Sequence, residues 1–421
     1  MDAPNIQLPD SADESVAVPS SIIAVPTSSI IAAMLHASKG TSDLIFSPGR
    51  APQVETNGQL VQLRITNVNV LTAEDTARMA ADLIGHNAQA LAKLKEEGSC
   101  DISYSLPKVS RFRVNIFTQR GSCAIVMRVI PSAVPDFQKL NLPPQLAEAT
   151  ELKQGIVLVT GPTGSGKSST LAAFVNKINE EKACHIITIE DPIEFIHAHK
   201  KATIHQRELY SDTPSFPLAL RAALRQSPKV ILVGEMRDKQ TIETALEAAE
   251  TGHLVFSTLH TIDAAKTIER IVGVFPMSDQ HLMRARFAKS FGYIISQRLM
   301  PRRDGAGRVA AFEILKSTLR TREYVHHGES EGKSLVDAMR DGSTEGMQCF
   351  DDEVEKLLRT DIIDSETALS YATNPGNLRL QIADLLEEQS AVPSANVKIQ
   401  PKPSPAEEPA IPTDPELEIT R

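Results

Sequence analysis

The chain has 421 residues, of which 41% are hydrophobic and 23% are charged, and its formal net charge is −9. This length exceeds one ordinary hydrophobic core, so we expect a soluble globular protein of two or three domains. The acidic balance, the absence of tryptophan and an aromatic content of 4% argue against nucleic acid as a partner, since its binding needs cationic and stacking surfaces.

The cysteines and the apolar runs indicate where the protein works. Four scattered cysteines form no C-x-x-C pair, which favours reduced thiols over a zinc site or a disulfide framework. No lysine or arginine precedes Lys39, so the positive region of a signal peptide is missing, and no apolar run approaches the length of a membrane span. We therefore expect a cytoplasmic protein with no direct membrane insertion.

The N-terminal third begins with a tail and continues as a small mixed domain. Residues 1–26 are rich in Ser, Pro, Ala and acids and are predicted to be disordered. Residues 27–135 combine a helix that ends at Gly40, a hairpin dipeptide at Asn57-Gly58, a helix after Leu71, and two further strands, "RFRVNIF" and "CAIVMRVI". This combination predicts an α+β domain built on an antiparallel sheet.

From Leu152 the pattern changes to short apolar strands that alternate with helices. Over residues 136–277 this alternation predicts an α/β domain with a mainly parallel sheet and helices on both faces. Residues 278–390 are predicted to be a helical appendix. Residues 391–421 contain seven prolines, a density that blocks helices and sheets and predicts a second disordered tail.

The most specific motif is a complete phosphate loop, G-x-x-x-x-G-K-[ST]. Its glycines let backbone N–H groups surround phosphate oxygens, and the helix that follows presents its N-terminus to the same charge. The lysine serves the β- and γ-phosphates, and the serine hydroxyl can bind Mg²⁺. Because a strand signal, "GIVLVT", precedes the motif and an amphipathic helix follows it, we predict an ATP site. The residues assigned to this site are Gly161, Pro162, Thr163, Gly164, Ser165, Gly166, Lys167, Ser168 and Ser169.

Two acidic strand ends are candidates for the metal ion and the attacking water. The strand "IITIE" ends in Glu190 and is followed by Glu194, whereas "KVILVG" is followed by Glu235, one residue later than the aspartate usual at such a strand. The C-terminal ends of parallel strands face the crevice of the phosphate loop, so the two carboxylates can divide the work. We predict that Ser168 and Glu190 serve Mg²⁺, and that Gly234 leaves room at the phosphates while Glu235 acts on the water.

Histidines and arginines complete the candidate site. His253 and His260 bracket the strand "LVFSTL"; we predict a structural role for His253, and for His260 a role in sensing the γ-phosphate or its water network. Arginines that could neutralise phosphate charge include Arg270 in the nucleotide segment and three residues of the first domain, Arg111, Arg113 and Arg128. For the strand of Arg111 and Arg113, a solvated sheet face and an arginine donor across a domain or subunit boundary remain open alternatives.

Taken together, these segments resemble the type IV pilus retraction (twitching motility) ATPases, the PilT family of the secretion ATPase superfamily. The similar stretches are "GPTGSGKSSTLAA", the acidic box "TIEDPIEFIHAHKKATIHQRE", and "ILVGEMRDKQTIETALEAAETGHLVFSTLHTIDAAKTIERIVGVFP", which covers the Walker B and histidine boxes. "SDLIFSPGRAPQVETNGQL" and "SRFRVNIFTQRGSCAIVMRVIP" are similar to the first domain of that family. The resemblance covers roughly residues 28–315.

The resemblance implies a PAS-like first domain, a RecA-like P-loop second domain and a homo-hexamer that binds ATP at its subunit interfaces. It implies that Glu235 is the catalytic base, that Glu190 and Glu194 serve metal and water, and that His260 belongs to the histidine box. It also implies that the first-domain arginines lie at an interface that senses nucleotide. The output would be pilin depolymerisation at an inner-membrane platform protein, with the motor peripheral to the cytoplasmic face of that membrane.

Some features depart from the family pattern. "SDLIF" replaces the usual "SDLHL", "FEILKSTLRTREYVHHGESEGKSL" differs from the stretch that helps couple the motor to retraction, and the tails have no assigned counterpart. Two alternatives therefore accompany the retraction motor. One is a pilus-assembly or type II secretion ATPase, which the absence of a four-cysteine zinc insertion disfavours. The other is a regulatory subunit that binds ATP but turns over little. The residues that oppose it are the intact Lys167, Glu190, Glu235 and His260.

Overall fold

The computed structural model of the protein describes residues 6–7, 25–38, 40–56, 59–66, 68, 70–107, 109–131 and 133–385. The predicted tail 391–421 and most of the predicted tail 1–26 lie outside these residues. Within the N-terminal tail the described pair Ile6–Gln7 forms a short strand, β1, which pairs antiparallel with Arg64–Ile65.

The N-terminal part contains a six-stranded antiparallel sheet in the order β4-β3-β2-β8-β7-β6. The strands are β2 (Thr41–Phe46), β3 (Gln53–Thr56), β4 (Gln59–Gln62), β5 (Arg64–Ile65, outside this sheet), β6 (Ser99–Leu106), β7 (Ser110–Gln119) and β8 (Ser122–Ile130). The helices are α1 (Thr27–Ala37), α2 (Ala73–Ile84) and α3 (Ala88–Glu97). The α+β prediction for this part is confirmed. The pairings on either side of the two predicted turns are Thr56 with Gln59 and Gln119 with Ser122, while the turn dipeptide Asn57-Gly58 itself lies outside the described residues.

Local sequence explains the limits of these elements. Thr72 caps α2, accepting a hydrogen bond from the Asp75 backbone while the Asp75 side chain accepts one from the Thr72 backbone. Arg120 and Gly121 both have positive φ, at 48° and 76°, as the tight turn between β7 and β8 requires. Apolar side chains of the helices and of one face of the sheet form the core of this part.

The C-terminal part is organised by a seven-stranded sheet in the order β11-β10-β12-β13-β9-β14-β15. Its strands are β9 (Gly155–Thr160), β10 (His185–Glu190), β11 (Thr203–Glu208), β12 (Val230–Val233), β13 (Leu254–Leu259), β14 (Phe291–Pro301) and β15 (Arg308–Lys316). Every pairing is parallel except that of β14 with β15. The prediction of a mainly parallel sheet is confirmed, and the C-terminal ends of β9, β10, β12 and β13 meet at one edge.

Helices cover both faces of this sheet. They are α4 (Lys167–Glu181), α5 (Phe216–Ala223), α6 (Lys239–Glu250), α7 (Ala264–Gly273), α8 (Met277–Ser290), α9 (Leu319–His327), α10 (Leu335–Asp341), α11 (Phe350–Arg359), α12 (Ser365–Tyr371) and α13 (Pro375–Gln381), with 3-10 turns at Pro144–Thr150 and Ser343–Glu345. Strand β9 is buried on both sides: Ile156 and Leu158 join the core under α5–α8, and Val157 and Val159 join the core under α4. A fully buried central strand explains why its sequence is continuously apolar.

The predicted helical C-terminal part is confirmed, but the range 278–390 given for it needs correction. Residues from α9 onward are mainly helical, but β14 and β15 lie inside the segment and complete the seven-stranded sheet. The run "FGYIISQRLM" is apolar enough for a buried helix or a buried strand, and periodicity cannot separate the two. A boundary at residue 277 would therefore cut through the sheet. Each helix in the described part of the chain is too short or too polar to cross a bilayer.

Candidate active site

The phosphate loop lies between the end of β9 and the start of α4, as the motif predicts. Its first glycine, Gly161, has φ 144°, and a Cβ there would lie 2.4 Å from the carbonyl oxygen of Gln297 on β14. Gly166 has φ 92°, and a Cβ there would lie 2.8 Å from the side-chain amide nitrogen of the same residue, Gln297. The glycines are therefore required both by backbone conformation and by the close approach of β14.

Lys167 closes the loop on itself. Its Nζ donates to the carbonyl oxygens of Gly161, at 2.9 Å, and Pro162, at 3.0 Å. Burial lowers the pKa of this lysine, and the nearby carboxylates of Glu194 and Glu235 oppose that shift. The Ser165 hydroxyl, also in the loop, is buried without a hydrogen-bond partner. A buried ammonium and an orphaned hydroxyl in one loop form a donor set that an anionic phosphate would satisfy.

A cavity of about 720 Å³ lies over this loop. It is lined by Lys167 and Ser168 of the loop and by Glu190 and Glu194 of the acidic box. Glu235 and His260, which follow the other two predicted strands, line it as well. The structure thus brings together most of the residues that the sequence assigns to the site. Those that line the cavity are Thr163, Gly164, Gly166, Lys167, Ser168, Ser169, Glu190, Glu194, Glu235, His260, Arg113 and Arg128.

Glu190 is held at the end of β10 by two side chains. Its Oε1 accepts a hydrogen bond from Thr188 Oγ1 at 2.5 Å and another from Gln206 Nε2 at 3.1 Å. Gln206 also donates to the Phe195 carbonyl oxygen at 2.8 Å, so it fixes the loop that follows Glu190 as well. Burial raises the pKa of Glu190 to about 7 against these hydrogen bonds.

Glu235 follows β12, the strand next to β10, and lines the same cavity. Its carboxylate is 2.6 Å from Arg237 Nε and 3.7 Å from His260 Nε2. The end of β12 is joined to the end of β13, which precedes His260, because Thr258 Oγ1 donates to the Gly234 carbonyl oxygen at 2.6 Å. The Glu235 side chain is 17% exposed and that of His260 is 46% exposed, so both remain accessible from the cavity.

Gly234 lines the cavity and also lies close to strand β10. A Cβ on Gly234 would lie 3.3 Å from the Ile189 carbonyl oxygen, 3.4 Å from Glu190 Cα and 3.6 Å from the Phe216 ring. A side chain at this position would therefore need a small displacement of strand β10. The tight contact between β10 and β12 is what brings the two acidic strand ends side by side.

His260 and His253 lie at opposite ends of β13. Burial lowers the pKa of His260; Lys167 and Arg237 lower it further, and Glu235 opposes them. His260 is therefore a neutral polar neighbour of Glu235 near pH 7. His253 contacts the Ala248 carbonyl oxygen through Nδ1 at 2.9 Å, which is a local structural contact at the start of the strand.

The four candidate arginines separate into three groups. Arg113 and Arg128 line the cavity, and Arg128 Nε also donates to Asp43 on the neighbouring strand at 3.0 Å. Arg270 does not line this cavity; it faces an adjoining hollow of about 440 Å³ shared with Glu235 and His260.

Arg111 is placed elsewhere. Its Nη2 donates at 2.6 Å to Glu208 Oε2 at the end of β11, and the same oxygen accepts the Ile193 backbone N–H at 2.9 Å. The Arg111 side chain is 22% exposed and that of Glu208 is 4% exposed. Arg111 therefore connects the N-terminal sheet to the acidic box and is not brought together with the phosphate loop.

Comparison with known proteins places this site in a family. A family model described as type II/IV secretion system protein matches residues 84–360. The chain is 44% identical over 323 residues to a twitching motility protein of Neisseria gonorrhoeae, covering 77% of this chain and 84% of the relative. It is 42% identical over 341 residues to the type IV pilus retraction ATPase PilT of Pseudomonas aeruginosa, covering 81% and 97%.

The chain belongs to the type II/IV secretion system protein family. Among solved structures, a crystal structure of the pilus retraction motor PilT with bound ADP is 41% identical and has a TM-score of 0.74, covering 84% of this chain and 98% of that one. The resemblance stated from the sequence motifs is confirmed. The protein is a nucleotide-binding ATPase with a RecA-like P-loop fold.

Sequence reasoning missed several residues that line the cavity of this secretion ATPase. Leu299 on β14 and Arg308 on β15 reach it from the side opposite Glu190 and Glu235. Phe195 and His197 reach it from the loop after the acidic strand end. The first pair was hidden because the strands that carry it were predicted to be helical. The second pair lies within the acidic box itself, so its place in that stretch was the available signal.

Proposed function

We propose that this ATPase is a hexameric motor that couples ATP hydrolysis to type IV pilus retraction, and so to pilin depolymerisation and twitching motility. The observation that carries the proposal is the cavity in which Glu235 and His260 lie across from a complete phosphate loop. The names of the two curated relatives, a twitching motility protein and a retraction ATPase, favour retraction over pilus assembly.

Each wall of the cavity has a proposed role. The backbone N–H groups of the loop and Lys167 hold the phosphates of ATP. Glu235 orients the attacking water and takes its proton while the water oxygen bonds to the γ-phosphorus and the bond to ADP breaks. His260 Nε2 is 3.7 Å from that carboxylate. As a neutral group, His260 donates or accepts a hydrogen bond in the water network around the γ-phosphate. Glu194 faces the same space and contributes to the water network.

The donor set fits a bound Mg²⁺ ion. The Ser168 hydroxyl and the Glu190 carboxylate line the same cavity, while the described residues contain no cluster of three or more His, Cys, Asp or Glu that could hold a metal by itself. Mg²⁺ in nucleotide sites takes most of its ligands from phosphates and water, so a hydroxyl and one nearby carboxylate suffice. When bound, the ion would neutralise charge on the β- and γ-phosphates.

The assembly and its setting follow from the same proposal. Residues 27–135 would form a PAS-like domain and residues 136–390 the ATPase domain with its helical end. Arg113 and Arg128 bring first-domain charge to the nucleotide, and Arg270 approaches the catalytic pair from the adjoining hollow. Six copies would form the ring, which would act on an inner-membrane platform protein from the cytoplasmic face. Mass photometry with and without ATP tests the ring size.

Deletion of the gene in the source organism, with counts of surface pili and a twitching assay, tests the output. Hyperpiliated cells that do not twitch support retraction. Bald cells would instead support an assembly motor, and cells with unchanged pili would overturn the proposal. Steady-state ATP hydrolysis by the full-length protein separates a motor from a regulatory subunit, because the regulatory alternative requires tight ATP binding with little turnover.

A further inference from the structure

A chain of buried polar side chains connects the phosphate loop to the last two strands of the sheet. Thr160, the residue immediately before the loop, donates from Oγ1 to Ser296 Oγ on β14 at 3.1 Å. The Ser296 hydroxyl in turn donates to Glu313 Oε1 on β15 at 3.1 Å. All three residues are buried. The start of the phosphate loop is therefore attached, through two hydrogen bonds, to a carboxylate that does not itself line the nucleotide cavity.

The same carboxylate oxygen holds the start of helix α7. Glu313 Oε1 accepts the backbone N–H of Ala264, the first residue of α7, at 2.7 Å. This is one of the N–H groups that no carbonyl inside the helix can satisfy, and a carboxylate at a helix N-terminus is also favoured by the helix dipole.

The start of α7 determines where His260 lies. Asp263 caps the helix by accepting the Lys266 N–H at 2.7 Å. The hydroxyl of Thr261, next to His260, is 2.6 Å from that of Thr267 inside the helix. Because His260 is three residues before the cap, a shift of the first turn of α7 would move it relative to Glu235. One oxygen of Glu313 thus contacts helix α7 directly, and it is connected through Ser296 to the strand that leads into the loop.

A simpler alternative is that Glu313 only satisfies a buried N–H group. Burying a carboxylate costs free energy, and a smaller acceptor such as a serine or an asparagine could cap a helix at lower cost. What a simple cap does not explain is the second branch through Ser296 to Thr160. The phosphate loop and the His260 segment are both connected to one carboxylate oxygen. This is the arrangement expected of a group that fixes the distance between the two segments.

We propose that Glu313 is a positioning residue that holds the phosphate loop and the His260 segment at a fixed separation during ATP hydrolysis. The inference rests on the proposed function of these two segments and adds a residue that touches neither ATP nor the attacking water. Its effect is transmitted through Ser296 on one side and Ala264 on the other.

Two substitutions of Glu313 separate hydrogen bonding from charge. Both contacts end on Oε1, so the carbonyl oxygen of Glu313→Gln can accept both, and this variant is expected to keep kcat and KM within about twofold of wild type. Glu313→Ala removes both contacts. Its KM for ATP is expected to rise about tenfold and its kcat to fall about 10- to 100-fold, the range that a misplacement of about 1 Å can cause.

A third variant and a matched control protect the test against unfolding. Ser296→Ala cuts only the branch to Thr160 and leaves the Ala264 contact, so KM should rise even if Glu313→Ala fails to fold. Asp351→Ala is the control: this buried carboxylate also accepts two backbone N–H groups, from Thr373 at 2.6 Å and Asn374 at 2.9 Å, but it does not line the nucleotide cavity. It should lower the melting temperature and leave KM unchanged.

The measurements are kcat and KM from phosphate release, with melting temperatures, on full-length wild type, the four variants and Glu235→Gln. A raised KM in Glu313→Ala and Ser296→Ala, rescue by Glu313→Gln and an unchanged KM in Asp351→Ala support the inference. Wild-type KM in both Glu313→Ala and Ser296→Ala, or an equal rise in Asp351→Ala, overturns it. A wild-type protein that does not hydrolyse ATP, or a fully active Glu235→Gln, would show instead that the proposed function has failed.

Discussion

Replacing Glu235 with glutamine is the most direct test of the hydrolytic site. The change keeps the shape of the side chain and removes its ability to take a proton from water. General-base assistance contributes about 10²- to 10⁴-fold to rate, or about 2.7–5.4 kcal/mol of the barrier. The fold should be unaffected, because the ion pair with Arg237 involves a guanidinium that is 72% exposed and such pairs contribute about 0–1 kcal/mol.

Nucleotide binding should survive this substitution. Removing a carboxylate from the cavity removes repulsion of the phosphates, and Lys167 keeps its contacts to Gly161 and Pro162. We therefore expect kcat to fall by at least 100-fold while the affinity for a fluorescent ATP analogue stays the same or rises. Glu243→Gln is the control, because Glu243 pairs with Lys239 on the solvent-facing side of helix α6 and does not line the cavity. Equal turnover in Glu235→Gln and wild type would refute the assignment.

Three further predictions address the loop, the buried carboxylate and the connection between the two sheets. Lys167→Ala should weaken ATP binding by more than tenfold in a titration, because the phosphates lose their nearest cation, and tight binding by this variant would contradict the loop assignment. Burial raises the pKa of Glu313 to about 7, with Asp263 adding to the shift and Arg298 opposing it; the stabilisation due to protonated Glu313 is therefore complete below about pH 4.5 and is lost as pH rises through 7. The melting temperature of Glu313→Gln should therefore exceed that of wild type at pH 8, and by a smaller margin at pH 5. A difference in melting temperature that does not change with pH would contradict this prediction. Arg111→Ala should lower the free energy of unfolding by about 2–3 kcal/mol in denaturant unfolding, because it leaves the buried carboxylate of Glu208 without its guanidinium partner. A loss of ATP affinity with an unchanged free energy of unfolding would instead show that Arg111 acts in the nucleotide site.

Short-range patterns predicted the nucleotide half of the fold well. The phosphate loop combines glycines, a lysine and a serine at fixed spacing, and these residues act through the backbone conformation of their own segment. The position of Glu235 beside the phosphate loop was also predictable. Parallel strands present their C-terminal ends at one edge of the sheet, and the alternation of strands and helices predicted a parallel sheet. His260 followed from its place at the end of the next strand.

Partners that are distant in the sequence were beyond the reach of those patterns. Arg111 and Arg113 are two residues apart on one strand, so the sequence pattern gives both the same expected role. In the structure, Arg111 donates to Glu208, 97 residues away, whereas Arg113 lines the cavity. The role of Gly234 depended on how closely β10 approaches β12, which no local pattern reports. The strand pair β14–β15 was assigned to helix because its apolar run has no decisive period.

The sequence by itself determined the family of this ATPase, the phosphate-loop motif of its nucleotide site and the carboxylate that we propose acts on water. These features depend on residue type and spacing along one or two adjacent elements. The tertiary structure alone decided which arginines face the cavity, how closely Gly234 approaches β10, and that Glu313 contacts helix α7 directly and the phosphate-loop strand through Ser296. Such contacts are produced by strand order and packing between segments that fold together from far apart in the chain, so no window of the sequence contains them.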